Sequence, residues 1–126
     1  MGWTFPRLIA AGNDWFDNWC DYDGPACYEL GTGGPRGGQI EWHYVGETGN
    51  ERARIVCYAR SGSHLSEVID RHLRQGWHLY YRGFAVDTKT EARRIQDERL
   101  RRFDYDWNIL LNDSSGRGLN KEYDLC

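Results

Sequence analysis

Two strand-like segments on either side of a glycine-rich stretch constrain the fold of this chain more than any other feature of its sequence. Residues 26–31 indicate a short strand, and residues 39–45 alternate apolar with polar side chains. Between the two strands, residues 31–38 contain five glycines and a Pro-Arg pair, which predicts a turn or flexible loop. Because no Gly-Lys-Ser/Thr follows these glycines, they do not indicate a phosphate-binding loop. The segment as a whole predicts a β-hairpin.

Two helices and a third strand are predicted downstream of the hairpin. A short helix is expected over residues 50–60. A second helix is indicated by apolar residues at helical spacing, with Ser63 available to cap its start and Gly76 to end it. These apolar residues are Leu65, Val68, Ile69 and Leu73. Residues 77–86 are rich in aromatic and branched side chains and predict the third strand.

The last helix is predicted from about Lys89 to Phe103. Thr88 and Glu91 form a capping box, in which each side chain satisfies a free backbone amide at the helix start. Helical periodicity places Gln96 in the middle of an apolar stripe and the acidic residues of the helix on the solvent side. The predicted stripe contains Ala92, Ile95, Leu100 and Phe103.

The order of these elements predicts an α+β fold, an α/β sandwich in which helices flank a small, largely antiparallel, three-stranded sheet. A chain of 126 residues is long enough for one domain and too short for two. The domain is predicted at residues 26–111. Residues 1–25 alternate aromatic with acidic side chains and are expected to pack on the domain as an extension. Residues 112–126 are expected to form a C-terminal tail.

Composition excludes several classes of protein. No stretch approaches the roughly 18 apolar residues of a membrane span, and the N-terminus lacks the pattern of a secretory signal. The 18 aromatic residues indicate a packed interior and exclude a disordered chain. The cysteines have no metal-binding spacing, so free thiols are expected, and with them a cytoplasmic, nucleoid or nuclear protein that is not secreted. These cysteines are Cys20, Cys27, Cys57 and Cys126.

Short motifs on the predicted elements carry a resemblance to a known family. An Ala-Cys-Tyr motif ends at Tyr28 on the first hairpin strand, and Tyr-Val-Gly runs from Tyr44 to Gly46 on the second. Arg54 follows Gly46 by eight residues, and Tyr58 lies four residues further on. In these motifs and gaps the chain resembles the GIY-YIG nuclease family over roughly residues 26 to 110. The first motif stands at the position of Gly-Ile-Tyr and the second at that of Tyr-Ile-Gly.

The chain departs from the family pattern in two places. Tyr28 and Tyr44 are sixteen residues apart, which is longer than expected. Gln96 lies twelve residues before Asn108, at the position where the family carries a glutamate. In the family, that glutamate is essentially the only protein ligand of the divalent metal ion. An amide lacks the negative charge that hard cations favour. The resemblance implies a metal-dependent DNA endonuclease inactivated by Gln96, whether naturally or by design; a register in which Glu98 serves is the alternative.

The resemblance also implies a role for each site residue. Tyr28 is expected to orient and deprotonate the attacking water, with Tyr44 as second candidate, if the charge of Arg54 or of a metal lowers the pKa of the phenol. Arg54 is expected to hold the scissile phosphate and neutralise its developing charge. Tyr58 is expected to contact the phosphate, and Asn108 to brace the site by hydrogen bonds.

The resemblance implies that the partner is DNA, either duplex or branched. It also implies Mg²⁺ or Mn²⁺ as the cofactor, with one ion per site that is weakly held or absent because of Gln96. Arg36, Arg52 and Arg94 are expected to contact DNA, together with Gly46, which permits close backbone approach. A monomer or weak homodimer, without a membrane partner, is expected. With a net charge of −3, composition alone does not indicate nucleic-acid binding, so a non-catalytic nucleic-acid-binding module and a protein-interaction domain remain alternatives.

Overall fold

The computed structural model describes residues 2–12, 14–15, 22–34, 37–59 and 64–109. Within these residues lie five strands: β1 (Arg7–Ala11), β2 (Asp14–Trp15), β3 (Ala26–Gly34), β4 (Gly37–Thr48) and β5 (His78–Ala85). They are joined by three helices: α1 (Glu51–Ala59), α2 (Ser66–Arg74) and α3 (Lys89–Arg102). A further helical turn begins at Asp106. Among the described helices, none has the length and apolar character that a membrane crossing requires.

The strands form one sheet in the order β2-β1-β5-β3-β4, and every pairing is antiparallel. The α+β prediction is confirmed, but the sheet has five strands rather than three. The two additional strands come from the N-terminal region, where β1 pairs with β5 and buries Ile9 and Ala10 completely. Gly12, with a φ of 62°, provides the left-handed backbone conformation that follows β1.

The predicted hairpin is present as β3 and β4, but its glycines lie in the strands rather than in a loop. Gly31 pairs with Trp42, and a Cβ at position 31 would lie 2.5 Å from the backbone oxygen of Glu41. Only glycine therefore permits this approach of the two strands. The register shifts between Leu30 and Gly31, where β4 accommodates His43 as an extra residue.

The three predicted helices are confirmed, with small changes at their ends. Thr88 caps α3 by accepting a hydrogen bond of 3.1 Å from the backbone N–H of Glu91. Gly76 follows α2 with a φ of 94°, as expected for a residue that ends a helix. The cap expected from Ser63 lies outside the described residues.

Alternation along β3 and β4 gives the sheet two faces with different coverings. Tyr28, Leu30 and Tyr44 define the tyrosine face, which packs against α1 and α2. Cys27, Glu29 and Val45 define the arginine face, which α3 covers. The larger core lies on the tyrosine face, and its helical part consists of Ile55, Tyr58, Val68, Ile69 and Leu73.

The inward surface of α3 differs from the predicted apolar stripe. Ala92 is fully buried and Ile95 packs against the core, but Leu100 and Phe103 are 38% and 46% exposed. Phe103 has an extended backbone conformation, so it has left the helix whose periodicity placed it inside. Arg99 occupies the inward position instead, because it pairs with the buried carboxylate of Glu29 on β3.

Two of the cysteines lie within the described residues. Cys27 is a buried free thiol, and burial raises its pKa to about 12. Cys57, on α1, is disulfide-bonded. The expectation of free thiols is therefore wrong for Cys57. The spacing of the cysteines in the sequence gave no indication that Cys57 is paired.

Candidate functional site

The candidate site lies on the tyrosine face and is built around Tyr28 in the middle of the sheet. Tyr28 pairs with Gly46 on β4 and with Gly83 on β5. A Cβ on Gly46 would lie 2.5 Å from the Tyr28 hydroxyl, and a Cβ on Gly83 would collide with the carboxylate of Glu51. The two glycines thus leave room for a tyrosine ring and for the first turn of α1.

Three tyrosines of the predicted site lie together on this face. The hydroxyls of Tyr28 and Tyr58 share a hydrogen bond of 2.6 Å, and their ring centroids are 5.8 Å apart. The ring of Tyr44 lies 6.2 Å from that of Tyr28. The hairpin supplies Tyr28 and Tyr44, and α1 supplies Tyr58. Residues far apart in sequence are thereby brought into contact.

Arg54 lies one helical turn before Tyr58 on α1 and is buried. Its positive charge acts on the hydroxyls of Tyr28 and Tyr58 and favours their ionised forms. Burial nevertheless outweighs this effect and raises the pKa of both hydroxyls well above the usual value near 10. The charge of Arg54 is therefore not enough to bring the pKa of Tyr28 below its ordinary value, and both hydroxyls stay protonated at neutral pH.

His64 lies beside this group, although the four histidines share no metal-binding spacing in the sequence and no catalytic role is predicted for them. Its ring lies 5.7 Å from that of Tyr44 and 6.2 Å from that of Tyr58. Burial, and then the charge of Arg54, lower the pKa of His64 from 6.5 to about 4. The imidazole is therefore neutral at pH 7. No spacing in the sequence relates His64 to the tyrosines, since only packing brings the start of α2 to them.

Asn108 binds the outer edge of β4 beside Tyr44. Its side-chain oxygen accepts from the backbone N–H of Val45 at 2.9 Å, and its amide donates to the Val45 carbonyl at 3.0 Å. Asp106 in the same turn contacts Nδ1 of His43 at 2.8 Å. The turn therefore acts on β4 as a neighbouring strand does, and it holds the backbone on both sides of Tyr44.

Gln96 belongs to α3, the helix that packs on the other side of the sheet. It lies half-buried on α3, next to Ile95, which packs against the arginine face. The tyrosines and Arg54 are thus grouped on one face, while Gln96 belongs to the helix on the other. Among the described residues, no group of three or more His, Cys, Asp or Glu side chains is placed to hold a metal ion. With a neutral amide at position 96, the residues present do not fit a protein-held divalent ion.

The predicted DNA-contact residues that the structure describes lie on different elements. Arg52 on α1 is half-exposed and lies 3.5 Å from Asp23, whereas Arg94 on α3 is exposed and lies 3.8 Å from Glu98. Gly46 is buried, so it serves to make room for Tyr28 and does not offer a surface to DNA. Arg36 lies outside the described residues.

A five-stranded antiparallel sheet, with strand tyrosines and a helix arginine gathered on one face, defines a small α+β domain. The family model described as GIY-YIG domain-containing protein matches residues 22–119. The chain therefore belongs to the GIY-YIG domain family, a family of endonucleases that act on DNA and generally depend on a divalent metal ion. No curated protein and no solved structure matches the chain.

Proposed function

We propose that the chain is a DNA endonuclease domain in which Gln96 suppresses the cleavage of phosphodiester bonds. The observation that carries the proposal is the gathering of Tyr28, Tyr44 and Tyr58 around the buried guanidinium of Arg54. Phosphodiester hydrolysis needs donors placed where negative charge develops, and these four side chains supply donors of that kind.

Arg54 is the group proposed to bind the scissile phosphate. Its planar guanidinium matches two phosphate oxygens at once, and its burial strengthens the attraction because little water screens it. Tyr58 and Tyr28, whose hydroxyls share a hydrogen bond, lie beside Arg54 and fix the shape of the site around it. In this arrangement Tyr28 positions Tyr58 and is not the base.

His64 is proposed to position the attacking water rather than to hold its proton. Because its pKa is lowered to about 4, the imidazole is uncharged at pH 7 and a weak base, and a ring nitrogen can accept a hydrogen bond from the water. Tyr44, whose ring lies 5.7 Å from that of His64, orients the water as well. The water is thus positioned from β4 and from the segment before α2.

Gln96 is proposed to block the step that needs negative charge on α3. Its amide has the shape of a glutamate side chain without the charge, so binding of DNA is kept and hydrolysis is lost.

The test is the change Gln96→Glu, assayed on supercoiled plasmid DNA with Mg²⁺ or Mn²⁺. We expect nicked circles with Gln96→Glu and none with the native chain. Gln75→Glu places the same new carboxylate at an exposed position after α2 and serves as the matched control. Retained DNA binding without nicking by Gln96→Glu would contradict the proposal.

A non-catalytic nucleic-acid-binding module is the second candidate, favoured by the neutral residue at position 96 and by the absence of a metal-ligand group among the described residues. Both candidates predict that affinity for DNA falls steeply as salt rises, because phosphate contacts release counterions. Only the nuclease predicts cleavage by Gln96→Glu. Affinity that does not respond to salt would contradict both and favour a protein-interaction domain.

A further inference from the structure

The arginine face contains a cluster of charged residues that the proposed chemistry does not use. At its centre is Glu29, which is completely buried. The Nε of Arg82 donates to one of its carboxylate oxygens at 2.5 Å, and Arg99 donates to the other at 3.1 Å. The hydroxyl of Tyr105 also donates to Glu29. One carboxylate thus connects two strands, α3 and the segment that follows it.

Aromatic rings hold both guanidiniums in place. Arg82 lies 4.5 Å from the ring centroid of Trp42 and 5.1 Å from that of Trp3. Arg99 lies 4.6 Å from Phe103 and 5.3 Å from Trp3. Such cation–π contacts add stabilisation beyond the ion pairs and fix the planes of the guanidiniums.

Burial of an ion pair is a costly way to stabilise a fold, because desolvation of the charges cancels much of their attraction. Apolar side chains of similar size would often serve stability as well. Burial would lower the pKa of Arg99, but its hydrogen bond to Tyr105 and the charge of Glu29 raise it, so the guanidinium stays charged. A cluster of this kind is better suited to fixing one geometry than to adding stability.

The geometry that this cluster fixes is the position of α3 relative to Tyr28 on the tyrosine face. Glu29 directly follows Tyr28 on β3, and Arg99 lies one helical turn after Gln96 on α3. The ion pair therefore joins the strand of the proposed phosphate site to the helix of the proposed acidic ligand position. Arg82 binds the same carboxylate from β5 and makes no such link.

We propose that the ion pair between Glu29 and Arg99 is a positioning device that fixes α3 along β3 and so sets residue 96 relative to Tyr28. The proposal rests on the proposed function for the consequence it assigns to residue 96. Arg99 and Glu29 are positioning residues, since neither lies on the face where the phosphate is expected to bind.

The experiment compares Arg99→Met with Arg82→Met, because each removes one guanidinium from the same carboxylate and only the first detaches α3. Amide hydrogen exchange is measured on the full chain. We expect the amides of residues 95–102 to exchange about tenfold faster in Arg99→Met, with β3 unchanged, and no selective change on α3 in Arg82→Met. If Arg99→Met does not fold, Arg99→Lys is used, which keeps the charge but loses the planar fork.

Cleavage provides the second readout, with both changes introduced into Gln96→Glu. We expect Arg99→Met to reduce kcat about tenfold while the Kd for DNA stays within about twofold, since misplacement of a catalytic group by 1 Å can cost more than this. Equal effects of the two variants on α3 exchange, or none, would overturn the positioning role. If Arg99→Met raises exchange selectively on α3 but Gln96→Glu does not cleave DNA, the positioning role of the ion pair stands and the proposed nuclease function is overturned.

Discussion

Neighbouring residues of β3 place different chemistry on the two faces of one sheet. On the tyrosine face, Tyr28 meets other hydroxyls beside a buried guanidinium, and burial keeps those hydroxyls protonated. On the arginine face, Glu29 is matched by Arg82 and Arg99 in ion pairs. The first face groups hydroxyls and a guanidinium, which are hydrogen-bond donors, whereas the second pairs opposite charges. In the functions proposed above, binding belongs to the tyrosine face and anchoring to the arginine face.

The strongest test of the arginine face is Glu29→Ala. We expect the free energy of unfolding to fall by about 3–5 kcal/mol, because two guanidiniums lose a buried partner. Urea titration measures the change. Glu67→Ala is the matched control, since Glu67 pairs with Arg71 at 3.9 Å on the surface and should contribute less than about 0.5 kcal/mol. Similar losses in the two variants would remove the contrast between the faces.

The strongest test of the tyrosine face is Arg54→Ala in the Gln96→Glu chain. We expect the rate of DNA nicking to fall about 10²–10³-fold, because a buried donor to the phosphate is lost. Arg54→Lys keeps the charge and should recover part of the rate. Thermal denaturation confirms that both variants fold. A nicking rate unchanged by Arg54→Ala would place the chemistry elsewhere.

A smaller effect is expected from the hydroxyl pair of the tyrosine face. Tyr28→Phe leaves the buried hydroxyl of Tyr58 without its 2.6 Å partner and should cost about 1–3 kcal/mol of unfolding free energy. The double change Tyr28→Phe with Tyr58→Phe should cost less than the sum of the single changes. Additive costs in urea titration would show that the two hydroxyls do not act as a pair.

The smallest effect concerns pH. The pKa of His64 is lowered to about 4 in the folded state, so between pH 4 and 6.5 the unfolded chain binds more protons than the folded one. The contribution of His64 to stability is therefore complete above pH 6.5 and is lost as the pH falls toward 4. Tm measured across this range should decline less steeply for His64→Gln. Parallel pH profiles for the two proteins would contradict the shift.

Local signals predicted most of the elements, because hairpins, caps and helical periodicity depend on residues close in sequence. Thr88 capped α3 as predicted, and the motifs around Tyr28, Tyr44 and Arg54 identified residues that the fold brings together. The strands of the N-terminal region were missed because β1 is short, lacks alternation and gains its partner only from β5.

The features that could not be predicted from the sequence depend on packing between residues far apart in the chain. The glycines of the hairpin predicted a loop, yet Gly31 lies in β3, where only glycine permits the close approach of β4. Arg99 has no signal of its own in the sequence, but on the inward side of α3 it pairs with the carboxylate of Glu29, seventy residues away. His64 carries no motif and reaches Tyr44 only through the fold.

The central claim is that a DNA phosphate binds at Arg54 on the tyrosine face. A structure of the native chain with a DNA duplex tests it most directly, since Gln96 should leave the substrate uncut. We expect a backbone phosphate with an oxygen about 3 Å from the Arg54 guanidinium, close to Tyr58 and Tyr44. DNA bound along another surface, with no phosphate on the tyrosine face, would contradict the claim.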